Sequence, residues 1–263
     1  MARTALRDDF RLLCAAVDEA AVVARRFYET GAQVWMKGPG NPVTEADLAV
    51  DKLLSEKLRS ARPDYGWLSE ESKDDGSRLT APRTWVLDPI DGTRAFVKKL
   101  PEFTIAAGLV EDGRPVMGVV VNPATQEVFT ACEGGRLRKG GKLTQPLPDP
   151  KLKSARVLGS RAMIEQGIGA TDGTGYFTIN SIAYRMALVA TGSYDAAIAL
   201  SPTCDWDIVA AHALMLAAGG IVSGRNGEPI VYNRPSVRHH GVVAAGPKLH
   251  AEITKRFRGG LLG

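Results

Sequence analysis

The hydrophobic period of this chain changes near residue 66, and that change limits the folds open to it. Before it, Leu6, Phe10, Leu13, Val17, Ala20, Ala24 and Phe27 recur at three- and four-residue steps. The spacing predicts an amphipathic helix over residues 5–30, ended by Gly31. Lys37-Gly38-Pro39-Gly40-Asn41-Pro42 reads as a loop from its Gly and Pro content. A second helix is expected from about Thr44 to Arg62, with Leu48, Asp51, Leu54 and Leu58 along one side and Pro63 closing it. After residue 66 the apolar runs are short and β-branched or aromatic: Trp85-Val86-Leu87, then residues 103–110, 116–121 and 127–131. Glu111-Asp112-Gly113-Arg114 reads as a hairpin turn, so the runs predict an antiparallel meander.

Farther along, strand and helix patterns alternate. Residues 155–159, 196–200 and 219–222 read as strands, and 181–190 and 207–218 as helices. Residues 140–153, rich in Pro, Gly and Lys, mark the expected boundary. The expected class is α+β and layered, with a sheet-rich half over residues 1–145 packed on an α/β half over residues 146–263.

Composition removes several classes of function. The 263 residues are 44% hydrophobic and 24% charged, as in ordinary globular proteins, and no apolar run approaches the ~20 residues of a membrane span. The first nine residues lack the apolar core of a signal peptide, so a cytoplasmic protein is expected. Cys14, Cys132 and Cys204 show no C-x-x-C spacing, which argues against a disulfide framework or a zinc site. A net charge of +4 either steers an anionic substrate or is a basic surface without further meaning. Basic residues are scattered rather than striped with aromatics, which argues against nucleic acid as a polymeric partner.

Four places set carboxylates beside turn-forming or helix-starting residues: Thr44-Glu45-Ala46-Asp47, Ser69-Glu70-Glu71-Ser72, Asp88-Pro89-Ile90-Asp91-Gly92-Thr93 and Asp205-Trp206-Asp207. Three have ordinary readings. Thr44 and Asp47 form a capping box, Glu70-Glu71 a solvated pair, and Asp207 a helix cap. The segment from Asp88 to Thr93 asks for more. Pro89 and Gly92 predict a tight turn directly after the strand ending at Leu87, on which two Asp side chains and the Ile90 carbonyl converge. An all-oxygen cluster of this kind suits a hard cation such as Mg²⁺. The amides of Gly92 and Thr93 would open the next segment and face an anion.

Asp88-Pro89-Ile90-Asp91-Gly92-Thr93 resembles the D-P-[IL]-D-G-T signature of the inositol monophosphatase family. Residues 67–72, 42–47 and 206–211 resemble that family's E-E-S, V-T-x-x-D and W-D-x-x-A segments, in the family's order and over nearly the whole chain. The resemblance implies an αβαβα sandwich, a homodimer, lithium sensitivity, and hydrolysis of a small phosphate monoester with two or three Mg²⁺ ions. It implies metal binding by Glu70, Asp88, Asp91, Asp207 and the Ile90 carbonyl. It assigns Asp47 and Thr93 to orienting and deprotonating the attacking water, with Glu70 sharing the catalytic set, and Gly92 and Thr93 to holding the phosphate. No covalent nucleophile is needed, and His212, His239, His240 and His250 all lie outside the acidic motifs.

The leaving group is read elsewhere. Where the inositol-phosphate branch places a carboxylate seven residues before the late aspartate, this chain has Leu200. Residues 201–207 and 157–162, and the late stretch 229–235, resemble the 3′(2′),5′-bisphosphate nucleotidases instead. Ser160 and Asp207 are then expected substrate contacts, and Arg161 and Arg185 candidates for a second phosphate, against a plain reading as surface arginines. Ala162 and Asn180 depart from the family pattern and leave the ester open between adenosine 3′,5′-bisphosphate, inositol-1-phosphate and a broader range. Gly167-Ile168-Gly169-Ala170-Thr171-Asp172-Gly173 lacks the third glycine of a dinucleotide-binding turn, which argues against a nicotinamide enzyme. A non-catalytic binder of a phosphate metabolite is the remaining rival, and it has no use for Thr93 beside Asp47.

Overall fold

The structure, a computed structural model, describes residues 2–169 and 171–259. Helices α1 (Ala2–Thr30) and α2 (Glu45–Ala61) take up the two amphipathic stretches. Between them lies an antiparallel hairpin, β1 (Val34–Gly38) and β2 (Asn41–Thr44), where a loop was expected over residues 37–42. The Pro and Gly residues there turn a ladder; they do not interrupt one.

A seven-stranded sheet follows in chain order: β3 (Gly66–Ser69), β4 (Arg83–Asp91), β5 (Thr104–Glu111), β6 (Arg114–Asn122), β7 (Glu127–Cys132), β8 (Arg138–Lys139) and β9 (Lys142–Leu143), with short α3 (Thr93–Val97) after β4. From β4 onward it is the antiparallel meander that the runs predict, while β3 pairs parallel to β4 across a 3-10 turn at Ser77–Thr80. The predicted turn after Leu87 is corrected: β4 runs on to Asp91, and its register with β5 slips between Asp88 and Asp91. Pro89 has no N–H to offer the ladder, so an irregularity is tolerated there.

The rest of the chain supplies β10 (Arg156–Leu158), α4 (Arg161–Ile168), β11 (Gly175–Phe177), α5 (Ile182–Ala190), β12 (Ala196–Ala199), β13 (Thr203–Cys204), α6 (Asp205–Ala217), β14 (Ile221–Ser223), β15 (Arg238–His239), β16 (Val242–Ala245) and α7 (Pro247–Gly259). Five strands form a second, mixed sheet in the order β11-β10-β12-β16-β14, and β13 with β15 makes a small ladder. Two boundaries move. Helix α6 begins at Asp205, and Gly219-Gly220 ends it with paired bonds back to Leu216 and Met215 instead of starting a strand. In the Gly167–Gly173 stretch the first two residues finish α4, and Ala170 lies outside the described residues.

Alternation along the strands fixes the layers. Trp85, Leu87, Ile105 and Val119 face Leu13, Val17, Val50 and Leu54 of α1 and α2. Val86, Ala106 and Val120 face the opposite way, against Ile182, Met186, Ile208 and Val209 of α5 and α6, whose other side meets Leu158, Ala197 and Val242 of the second sheet. Val157, Ile198 and Val243 turn outward onto Ile164 of α4 and Leu249 and Ile253 of α7. The result is the expected αβαβα sandwich, with both sheets buried on both faces, which is why their strands read as unbroken apolar runs.

Helix α6 lies directly on β6: a Cβ at Gly118 would come 2.1 Å from the Ala210 carbonyl oxygen. Gly118→Ala should therefore cost about 1–3 kcal/mol by forcing the helix off the sheet. It should appear as a lower denaturant midpoint with an unchanged slope.

Candidate active site

The irregular end of β4, the start of α6 and the segment after β3 enclose a cleft of about 470 Å³ lined by Glu70, Asp88, Ile90, Asp91, Thr93 and Asp207. Each arrives from a different local device. Asp88 turns an oxygen back to the Ile90 N–H at 2.9 Å, which holds the slipped stretch of β4 in shape. Gly92 follows at φ 97°, and a Cβ there would come 2.7 Å from the Glu102 carbonyl oxygen, so no other residue fits this turn. Thr93 then begins α3 with its hydroxyl 3.0 Å from the Ile90 carbonyl oxygen and 3.3 Å from Asp47 Oδ1. One proton serves one of these acceptors at a time.

Asp47 caps its own helix and also faces Thr93. Its Oδ2 accepts from the Thr44 N–H (2.8 Å) and hydroxyl (2.5 Å), the capping box of α2, while Oδ1 faces Thr93. Asp91 is held across the sandwich, its Oδ2 accepting from the Ser181 hydroxyl (2.5 Å) and the Ala183 N–H (2.7 Å) in the first turn of α5. Asp207, in the first turn of α6, accepts from the Cys204 N–H at 2.6 Å. Glu70 stands half-buried at the mouth, 3.0 Å from Lys37 of the hairpin, and the same ammonium lies 2.7 Å from Glu71.

Burial and crowding set the protonation of this cleft. Burial first, then the charges of Glu70, Asp91, Asp207 and Asp47, hold Asp88 well above the usual carboxylate range. Burial also lifts Asp47 and Asp91 to about 6, against hydrogen bonds that pull each down. Asp207 is pushed up to about 8, by burial and then by Asp91. Among the described residues no three Asp, Glu, His or Cys side chains form a closed metal cage. The donors nonetheless fit a hard cation: they are all oxygen, and their mutual repulsion is what a divalent ion relieves.

A second cavity of about 520 Å³ opens from the first, sharing Asp91, Arg94, Asn180, Pro202 and Asp207 with it. Its walls are apolar at Met163, Ile164, Ile179, Ile198 and Leu200, with Ser160 and Arg185 among them. Burial lowers the pKa of Arg185, whose guanidinium is bonded through Nε to the Ser181 carbonyl at 3.3 Å. Arg161 is not brought here. Its guanidinium turns along α4 to Glu165 at 3.1 Å and lies over the Tyr176 ring, because an i,i+4 carboxylate is the nearer partner.

Four residues that line these cavities or bond their carboxylates escaped the sequence reading. Lys37 looked like part of a loop. Arg94 lines both cavities and donates to the Gly40 carbonyl at 2.9 Å. Ser181 caps α5 and binds Asp91 with one hydroxyl, and Arg238 lines the cleft. Only Arg94, directly after Thr93, carried a positional signal.

The raised carboxylates make a stability prediction. Folding raises the pKa of Asp47 and Asp91 to about 6 and of Asp207 to about 8, so the folded protein keeps protons that the unfolded chain releases. Stability contributed by these groups is complete below about pH 4 and is lost as pH rises through about 8. In a chelator the melting temperature should fall over that window, and added Mg²⁺ should raise it more at the alkaline end. A melting temperature equally responsive to Mg²⁺ at both ends would contradict the coupling.

Comparison with known proteins agrees with this geometry. A model described as the inositol monophosphatase family matches residues 7–260. The 3′(2′),5′-bisphosphate nucleotidase CysQ of Aggregatibacter actinomycetemcomitans is 33% identical over 220 residues, covering 80% of this chain and 82% of the relative. The inositol-1-monophosphatase of Rhizobium meliloti is 33% identical over 240 residues, covering 84% and 85%. The crystal structure of the extragenic suppressor protein suhB from Bartonella henselae shares the fold, with a TM-score of 0.84 at 24% identity over 94% of this chain and 97% of that one. The chain belongs to the inositol monophosphatase family and is a metal-dependent phosphatase.

Proposed function

We propose that the chain is a Mg²⁺-dependent 3′(2′),5′-bisphosphate nucleotidase that converts adenosine 3′,5′-bisphosphate to AMP and phosphate. The observation that carries this reading is the second cavity. Its apolar side, at Met163, Ile164, Ile179, Ile198 and Leu200, suits a flat heteroaromatic base, and Arg94 and Arg185 on its polar side suit a second phosphate. Leu200 puts no carboxylate at the position from which the inositol-phosphate branch is expected to contact a polyol. Arg161 is replaced in this role by Arg94. Inositol-1-phosphate remains the second reading, supported by an inositol-1-monophosphatase relative at the same 33% identity.

Glu70, Asp88, Asp91, Asp207 and the Ile90 carbonyl would hold the metal. When bound, Mg²⁺ supplies a water of lowered pKa and neutralises charge on the phosphate and the leaving oxygen. The N–H groups of Gly92 and Thr93 receive phosphate oxygens. Thr93 and Asp47 Oδ1 orient the attacking water, and Asp47, ionised at neutral pH but more basic than an ordinary aspartate, takes its proton. Oxygen adds to phosphorus, the bond to the sugar oxygen breaks, and the alcohol leaves with a proton from solvent. Lithium sensitivity and a homodimer belong to the same proposal.

Asp88→Asn should abolish phosphate release throughout a Mg²⁺ titration; near-normal turnover would sink the ligand assignment. Thr93→Ala should lower kcat by roughly 10² with little change in KM. An unchanged kcat would leave Thr93 only its turn. For the leaving group, kcat/KM should rank adenosine 3′,5′-bisphosphate above inositol-1-phosphate and fructose 1,6-bisphosphate. Arg185→Gln should cost about tenfold on the first, as loss of a charge-assisted hydrogen bond does, and Arg161→Gln almost nothing. Preference for inositol-1-phosphate would establish the second reading.

A further inference from the structure

The late segment around Asn233 takes no part in the reaction as described, yet it sits where the carriers of Glu70 and Asp207 meet. Asn233 has a left-handed backbone, φ 54°. Its N–H donates to Asp205 Oδ2 at 2.9 Å. Its side-chain amide faces Arg78 twice: Nδ2 donates to the Arg78 carbonyl at 3.1 Å, and Oδ1 accepts from the guanidinium at 2.8 Å.

Both partners are buried and anchored. Arg78 is 1% exposed, pairs with Asp74 at 2.8 Å, and donates to the Arg234 carbonyl at 3.1 Å. It presses on the start of β3, where a Cβ at Gly66 would come 2.8 Å from the Arg78 Cα. Strand β3 ends at Ser69 and delivers Glu70. On the other side, Asp205 is 1% exposed and opens α6, two residues before Asp207. Its Oδ1 lies 2.6 Å from His239 Nε2, and its N–H donates to the Val237 carbonyl at 2.9 Å. A continuous path therefore runs from β3 through Arg78, Asn233 and Asp205 into α6.

We propose that Asn233 is a positioning residue: its side-chain amide grips Arg78 while its backbone N–H holds Asp205 at the start of α6, and this two-sided staple sets the separation of Glu70 and Asp207 across the cleft. The inference rests on reading those two carboxylates as metal ligands. They repel each other, and Mg²⁺ accepts oxygens only near 2.0–2.1 Å in octahedral geometry, so a loose frame weakens binding before it unfolds the protein. Asn suits the place because it tolerates the left-handed region and offers a donor and an acceptor together.

Asn233→Gly keeps the backbone N–H and the φ angle but removes both bonds to Arg78. Asn233→Asp keeps the acceptor for the guanidinium. Mg²⁺ affinity of the substrate-free protein is measured by titration calorimetry well below each variant's melting temperature, beside the Mg²⁺ needed for half-maximal turnover. Asn233→Gly should weaken Mg²⁺ binding about tenfold, the lower end for residues that support ligands from behind, and shift the half-maximal Mg²⁺ equally, while Asn233→Asp recovers part of the loss. Ile253→Val, on the buried face of α7, should lower the melting temperature and leave Mg²⁺ affinity unchanged. Wild-type affinity in folded Asn233→Gly would overturn the staple, as would an equal loss in Ile253→Val. A wild-type protein that binds no Mg²⁺ would overturn the ligand assignment itself, and the staple with it.

Discussion

Asp88 is buried with Glu70, Asp91, Asp207 and Asp47 around it, and most of the structure at this end of the sandwich answers that concentration of negative charge. Left alone, such a cluster would take up protons or fly apart. Three helix starts are turned toward it. Asp47 sits in the first turn of α2, Asp207 in the first turn of α6, and Asp91 accepts an N–H from the first turn of α5. Each helix start carries about half a positive charge, so the helices stabilise the carboxylates without neutralising them. Lys37 at the mouth adds a cation from the hairpin. What remains unbalanced is the charge that a divalent ion would bring.

The layers exist, in functional terms, to let those helix starts meet. Helix α6 runs between the two sheets and lies close enough to β6 that Gly118 has no room for a side chain. That contact places Asp207 opposite the slipped end of β4, although more than a hundred residues separate them. The bond from Ser181 to Asp91 spans 90 residues and ties the helix layer between the sheets to the first sheet. One continuous core serves both sheets and the helices between them.

Local chemistry was the legible part. Helix α2 and its capping box followed from Thr44 and Asp47, and the meander from short β-branched runs with a Gly turn. The six residues from Asp88 announced themselves by putting two carboxylates beside a Pro and a Gly. The errors were also local in origin. Gly and Pro near residue 40 signalled a break, yet they form the turn of a hairpin that carries Lys37 to Glu70. Of the two readings open for Arg161, its pairing with a carboxylate four residues on fits the plain surface one.

By itself, the sequence determined which carboxylates belong to the family's motifs and that each lies beside a strand end or a helix start, because side-chain chemistry and turn geometry act over a few residues. Only the tertiary structure decided which oxygen of each carboxylate is free. Asp47 gives one oxygen to its own helix, and Asp91 gives one to a helix ninety residues away. It also decided that Arg94 and Arg185, and not Arg161, line the second cavity, and that Asn233 joins Arg78 to Asp205. Those outcomes depend on packing between distant layers, and distance along the chain carries no record of it.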